Sequence, residues 1–184
     1  MNVYDFDRTL YAGDSTIDFY LFCLKRQPSL GLALPKQVAS MAAAVALGKG
    51  RTACKEGFYS FLPRVRAIDD TLASFWGCVR QKIYSDIACG LKRGDVVVSA
   101  SPEFLLRPIC KELGVDLVAS KVCASTGVCE GRNCRGEEKV RRFRESYPSA
   151  TIEEFYSDSS IDEPLACLAE RAYRVRNGEV RPWQ

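Results

Sequence analysis

The sequence predicts an α/β fold: a parallel sheet with helices on both faces, interrupted by one long helical insertion. Three observations carry this. From Asp95 onward, short apolar runs alternate with helix-periodic stretches, the pattern of parallel strands joined by crossover helices. From residue 14 to about 90 the apolar residues recur at helical spacing throughout. The apolar run Met1 to Tyr4 then has to supply the first strand of the sheet.

In chain order, the N-terminal strand runs into Asp5-Phe6-Asp7-Arg8-Thr9. Helical spacing follows in Ile17, Phe19, Tyr20, Phe22 and Cys23, in an alanine-rich stretch from Pro35 to Leu47, in Phe58 to Leu62, and in Leu72, Phe75, Trp76, Val79 and Ile83. Strands are expected at Val96–Ser99, Asp116–Ala119, Ile152–Tyr156 and Tyr173–Val175, with helices at Glu103–Leu113, Glu138–Ser146 and Glu163–Arg171. Gly127 to Arg132 reads as a short hairpin or loop, and Asn177-Gly178 as a turn before Val180–Trp183. The division that follows is an α/β core of residues 1–13 and 91–184, with residues 14–90 inserted above the strand ends.

Four carboxylates stand just beyond apolar runs at the two ends of the chain: Asp5 and Asp7, then Asp158 and Asp162 in Asp-Ser-Ser-Ile-Asp. Aspartates at i and i+2 past a strand leave it together, so one can attack phosphorus while the other manages a proton. A second pair from another strand completes an all-oxygen site for a hard cation such as Mg²⁺. The run Asp95-Val-Val-Val-Ser-Ala-Ser-Pro102 is a buried strand ending in hydroxyls before a helix. A hydroxyl and free backbone amides at such a strand-to-helix junction are a natural phosphate cradle. Lys139 opens another helix and brings a positive charge to the same strand ends, whereas Lys121 has no helix opening after it.

Taken in order, the DxDxT string, the strand-end Ser99, the helix-opening Lys139 and the DxxxD string resemble the haloacid dehalogenase (HAD) superfamily. Gly-Asp-Ser at 13–15, Ser-Ala-Ser-Pro at 99–102, Asn-Cys-Arg-Gly-Glu-Glu-Lys at 133–139 and Tyr-Ser-Asp-Ser at 156–159 are similar to its phosphoserine-phosphatase-like branch. The resemblance implies a Rossmann-like core and a helical cap that chooses the substrate. It implies a phosphomonoester hydrolase with Asp5 as the nucleophile that forms an aspartyl-phosphate, and Asp7 as acid and then base. Mg²⁺ would rest on Asp5, the Asp7 carbonyl and Asp158, with Asp162 in the same or the next layer. Ser99, Ala100 and Lys139 would hold the phosphoryl oxygens, and Thr9 would orient the nucleophile loop at the substrate-facing end. Arg8 stands where the family commonly has Gly, so that it either reads an anionic substrate or points outward. Asp14 stands near a glutamate of phosphoserine phosphatases and is shorter, which weakens the case for phosphoserine.

Composition narrows the chemistry further. The chain has 184 residues, 47% hydrophobic and 27% charged, that of a globular protein with a sizeable core. A net charge of +3 gives no argument for nucleic acid. With no histidine, Ser-His and Cys-His catalysis are excluded and carboxylates must move the protons. The nine cysteines contain no CxxC pair. Cys23, Cys78 and Cys110 lie among apolar neighbours as expected of buried free thiols, and Cys123, Cys129 and Cys134 are clustered closely enough to leave a metal or redox role open. The immediate first strand leaves no room for a signal peptide, which with the free thiols gives a cytoplasmic protein as the expectation; a monomer is compatible with the sequence, and the oligomeric state is left open. Pro35–Leu47 is too short to span a bilayer, for which roughly 20 residues are needed. It is either a helix packed within the insertion or an interfacial helix that meets a lipid substrate. The expected substrate is a small phosphometabolite. A lipid phosphate of the phosphatidylglycerophosphate type, with contact at a membrane surface, is one alternative; a silent HAD-like binding module is the other.

Overall fold

A computed structural model describes residues 1–48 and 50–183. Strand β1 (Val3–Tyr4) leads into helices α1 (Ser15–Arg26), α2 (Leu34–Ala46), α3 (Gly50–Tyr59), α4 (Ile68–Val79) and α5 (Ser85–Ala88) before the chain returns to the sheet. From there β2 (Val96–Pro102), α6 (Glu103–Leu113), β3 (Asp116–Ser120), α7 (Glu137–Ser146), β4 (Ile152–Ser157), α8 (Glu163–Ala166), β5 (Ala169–Arg176) and β6 (Glu179–Pro182) follow. The sheet order is β3-β2-β1-β4-β5-β6, parallel from β3 through β5 and antiparallel at β6.

Alternation along the strands builds two cores. Val3, Val96, Val98 and Phe155 face one side with Phe143 of α7 and Leu165 of α8. Tyr4 and Val97 face the other, with Leu105 and Ile109 of α6 and the aromatic side chains Phe19, Phe75 and Trp76 of the inserted helices. Burial on both faces is what a parallel strand of consecutive valines requires. The Trp76 indole donates to the Leu105 carbonyl at 2.8 Å, which fixes α4 on α6. At the far edge, Asn177 (φ 52°) and Gly178 (φ 84°) make a two-residue turn with positive φ at both positions, the geometry that suits the twist of the β5–β6 hairpin.

Two expectations need correction. The helix expected over Glu163–Arg171 ends at Ala166, because from Ala169 the chain pairs with β4 and the ladder overrides helical spacing. Cys78 is exposed, since it lies off the face on which α4 buries Leu72, Phe75 and Trp76; Cys23 and Cys110 are buried free thiols. Helix α2 packs against α1 and α3 within the insertion, where Gln37 and Ala44 are buried and Gln37 is hydrogen-bonded to Tyr20 and to the Phe58 carbonyl, while Val38 and Val45 are left in solvent.

Candidate active site

The carboxyl ends of β1, β2 and β4 meet around one cavity of about 390 Å³, where ligands of open α/β sheets bind. Its lining includes Asp5, Asp7, Ser99, Lys139, Asp158 and Asp162 from the sheet side, with Lys55, Phe58 and Tyr59 from the inserted helices. Strands β1 and β4 are in register, and the Asp5 amide donates to the Tyr156 carbonyl at 2.8 Å. That pairing brings residue 5 beside residues 157–158, joining the two ends of the chain.

Lys139 holds the centre. Its ammonium donates to Asp5 Oδ1 at 2.6 Å and to Asp162 Oδ2 at 2.7 Å, and all three groups are buried. Asp162 Oδ2 also accepts from the Ser157 hydroxyl at 2.8 Å. Burial pushes the Asp5 carboxyl up; the Lys139 charge pulls it back, and the negative charges of Asp162 and Asp7 push again. Glu138 beside the lysine is tied to Arg141 and Arg142, and Arg142 in turn donates to the Ala119 carbonyl, so α7 is pinned where it opens.

Asp7 is held differently. The Ser15 amide at the start of α1 donates to its Oδ1 at 2.7 Å, and the Ser101 hydroxyl to Oδ2 at 2.5 Å. Burial still raises this carboxyl above the usual carboxylate range, helped by the charge of Asp14. Asp14 is the N-cap of α1 and accepts from the amides of Thr16 and Ile17. Asp158, half-buried, is also raised by burial, with Arg8 opposing from 4.0 Å.

The other expected residues fall at distinct places. Ser99 is buried on the cavity wall, and its oxygen accepts from the Ser101 amide. The Ala100 carbonyl accepts from Lys55 Nζ at 2.7 Å and from the Ser120 hydroxyl at 2.8 Å. Arg8 is exposed at the rim and takes a left-handed backbone at φ 59°. Thr9, expected to face the substrate, is fully buried behind the cavity, where its hydroxyl accepts from the Asp158 amide at 3.0 Å and so ties the first motif to the last. Lys121 is exposed, away from the cavity lining. Among the described residues, no three Cys, Asp or Glu side chains converge as a metal-holding group, the Cys123/Cys129/Cys134 cluster included.

That result bears on a cation here. Hard oxygen donors on the cavity wall include the carboxylates of Asp5 and Asp158, with Asp7 and Asp162 lining the same cavity and Asp162 already receiving two donors through Oδ2. Two carboxylates that burial keeps unwillingly charged are a donor set a divalent ion would relieve, and the residues present fit Mg²⁺.

Sequence reasoning missed Lys55, Tyr59, Asn133 and Ser101. Lys55 Nζ also donates to Asn133 Oδ1 at 2.8 Å, so an inserted helix touches both β2 and the loop before α7. Nothing in the local sequence of α3 marks that lysine. Ser101 was legible, since it shares a strand face with Ser99 two residues before it.

The family of haloacid dehalogenase-like hydrolases matches residues 3–166. Protein CicA of Caulobacter vibrioides is 37% identical over 92 residues, which make up 46% of this chain and 41% of CicA, so the similarity spans less than half of that protein. Among solved structures, a protein of unknown function from Bordetella pertussis Tohama I superposes with a TM-score of 0.72 at 22% identity, covering 94% of this chain and 87% of that one. A probable phosphoserine phosphatase from Vibrio cholerae superposes with a TM-score of 0.61 at 12% identity, over 93% of this chain and 55% of that one. At these identities the structural likeness is one of fold.

Proposed function

The chain belongs to the haloacid dehalogenase-like hydrolases, and from that premise we propose that it is a magnesium-dependent phosphomonoester hydrolase working through an aspartyl-phosphate at Asp5. The observation that carries this reading is the pairing of a buried Asp5 carboxylate with Lys139 at the bottom of a cavity whose wall also bears Asp7.

Asp5 attacks phosphorus through its free oxygen, forming a P–O bond to the carboxylate as the bond to the substrate alkoxide breaks. Asp7, kept protonated more readily by its burial, gives that alkoxide a proton and afterwards takes one from the water that hydrolyses the acyl phosphate. Ser15 and Ser101 aim its two oxygens while it does so. Lys139 and Ser99 stabilise the charge on the transferred oxygens, with Asp162 and Ser157 holding the lysine. Mg²⁺, held by Asp5, the Asp7 carbonyl and Asp158, would supply neutralisation of the phosphoryl charge. Residues 14–90 act as the cap, and Lys55 offers the substrate a cation beyond the phosphoryl group. Both members of the Asp5/Asp7 pair argue against a silent binding module, which would need neither in full.

The test is phosphate release from a panel of phosphorylated metabolites and lipid phosphates, with Mg²⁺ and with EDTA. Turnover is expected to vanish on chelation and to return with Mg²⁺. Asp5→Asn is expected to fold normally and to lose turnover by a factor on the order of 10⁴ or more. Release at a near wild-type rate from Asp5→Asn, or in a chelated sample, rejects the mechanism.

A further inference from the structure

Helix α2 carries its polarity inside out. Gln37 points inward, where its Oε1 accepts from the Tyr20 hydroxyl at 2.8 Å and its amide donates to the Phe58 carbonyl at 2.6 Å. Leu34, Val38, Met41 and Val45 point outward at i, i+4, i+7 and i+11, one stripe along a helix. They are 44%, 63%, 37% and 71% exposed, and Leu32 before them (80%) and Leu47 after them (66%) lengthen the row. Single exposed apolar side chains are ordinary on a protein surface. A continuous row along a whole helix marks an interaction surface.

Charge decides what covers it. From Phe19 to Lys55 the sequence contains six Lys and Arg and not one Asp or Glu. Lys25, Arg26 and Lys36 are exposed in this region. The acids that bound it are engaged elsewhere: Asp18 accepts from Tyr11 and Lys82, and Glu56 from the Cys129 amide. A second copy of the chain seated on this face would set an acid-free surface against itself, and like charges facing one another across an interface are costly. An anionic bilayer offers both complements at once. Apolar side chains enter the boundary between headgroups and acyl chains while Lys and Arg stems reach back to the phosphates. With 13 residues, α2 is too short to cross the bilayer and would lie in its plane.

We propose that the outward row of α2, from Leu32 to Leu47, is a docking surface for an anionic lipid bilayer. Met41 belongs both to this row and to the wall of the cavity, and the neighbouring Ile17 lines the cavity while 45% exposed, so docking holds the cavity mouth at headgroup level. The docking is read by binding and stands or falls apart from turnover.

Flotation of the full chain with vesicles tests it, using phosphatidylcholine alone and phosphatidylcholine mixed with phosphatidylglycerol. The protein is expected to float with the mixed vesicles, weakly with neutral ones, and less as salt is raised. Val38→Glu with Val45→Glu is expected to weaken binding about tenfold or more, because two anions are placed in the contact, while leaving the melting temperature unchanged. Val38→Ser with Val45→Ser, which adds no charge, carries the comparison if the glutamates lower the melting temperature. Failure of the wild type to float with anionic vesicles overturns the proposal, as does undiminished binding by a stably folded variant. Sedimentation as a dimer that Val38→Glu/Val45→Glu dissociates, with no flotation, assigns the face to a second copy instead.

Discussion

Two lysines, Lys139 buried and Lys55 half-buried, reach the same cavity from opposite sides and live in opposite surroundings. Lys139, from α7 of the sheet region, would be driven toward its neutral form by burial alone. The carboxylates of Asp5 and Asp162 more than reverse this and hold it well above the usual lysine range. Lys55, from α3 of the inserted region, has burial lowering it, and its hydrogen bonds go to uncharged oxygens of Ala100 and Asn133. One region is electrostatically closed before any ligand arrives. The other holds its cation on uncharged oxygens, with the charges of Asp7 and Asp14 acting on it without a hydrogen bond, which under the proposed function suits it to meet an anionic substrate.

Removing Lys139 gives the largest expected effect. Lys139→Met leaves Asp5 and Asp162 facing each other in a buried site without their cation, a loss of about 3–5 kcal/mol when a buried pair is broken this way. Thermal unfolding and phosphate release are both expected to fail together. A variant with near wild-type stability would show that the sheet region does not depend on this triad. Gly127→Ala comes next and strikes the seam between the two regions. Gly127 has φ 75°, and a Cβ there would press into the Tyr59 carbonyl at the end of α3. A destabilisation of roughly 1–3 kcal/mol is expected by chemical denaturation. An unchanged midpoint would mean that the inserted region rides loosely on that loop.

The sheet region was the more legible of the two, for a physical reason. Asp5, Asp7, Ser99 and Asp158 sit within a few residues of the strand that aims them, so local sequence carries both the chemistry and the direction. Lys139 was found because a helix start is itself readable. Lys55 was not, since it gains its meaning from Ala100 and Asn133, far away in the chain, and a lysine on a helix otherwise reads as solvated. Thr9 was read as facing the substrate because it belongs to the motif, but only the paired strands reveal that it ties Asp158 from behind. The same limit misplaced Cys78 and extended α8 through Arg171: apolar spacing was visible, while the partner that decides between helix and strand was not.

Lys55→Met sharpens the comparison with a smaller and different signature. The Ser120 hydroxyl lies within reach of both acceptors but has a single proton, so after the substitution it serves either the Ala100 carbonyl or Asn133 Oδ1 and the other turns to water in the cavity. The substitution also removes a half-buried cation whose charging burial opposes, which offsets that loss. The melting temperature is therefore expected to change little. If this charge meets the substrate, KM for multiply anionic phosphomonoesters is expected to rise about ten- to a hundredfold, the range of one charged hydrogen bond, with little change for a small generic ester. A fall in stability like that of Lys139→Met would erase the contrast between the two lysines.

The smallest effect concerns acid and tests how far the closed network of the sheet region extends. Glu138, next to Lys139, accepts from Arg141 and Arg142, and these hydrogen bonds hold its carboxyl down at about 2, against an ordinary value near 4.5. A carboxylate with a depressed folded-state value contributes stability that is fully present above its unfolded value and is lost as pH falls through the folded one. Between about pH 4.5 and 2 the wild type should therefore lose stability as this site takes up its proton on unfolding. Glu138→Gln cannot take up that proton. Its stability is expected to be lower at neutral pH and to fall less steeply over the same interval, a difference that denaturant midpoints measured across the acid range resolve. Parallel curves for the two proteins would mean that Arg141 and Arg142 exchange Glu138 for solvent without loss, and that the network anchoring Lys139 ends at the lysine itself.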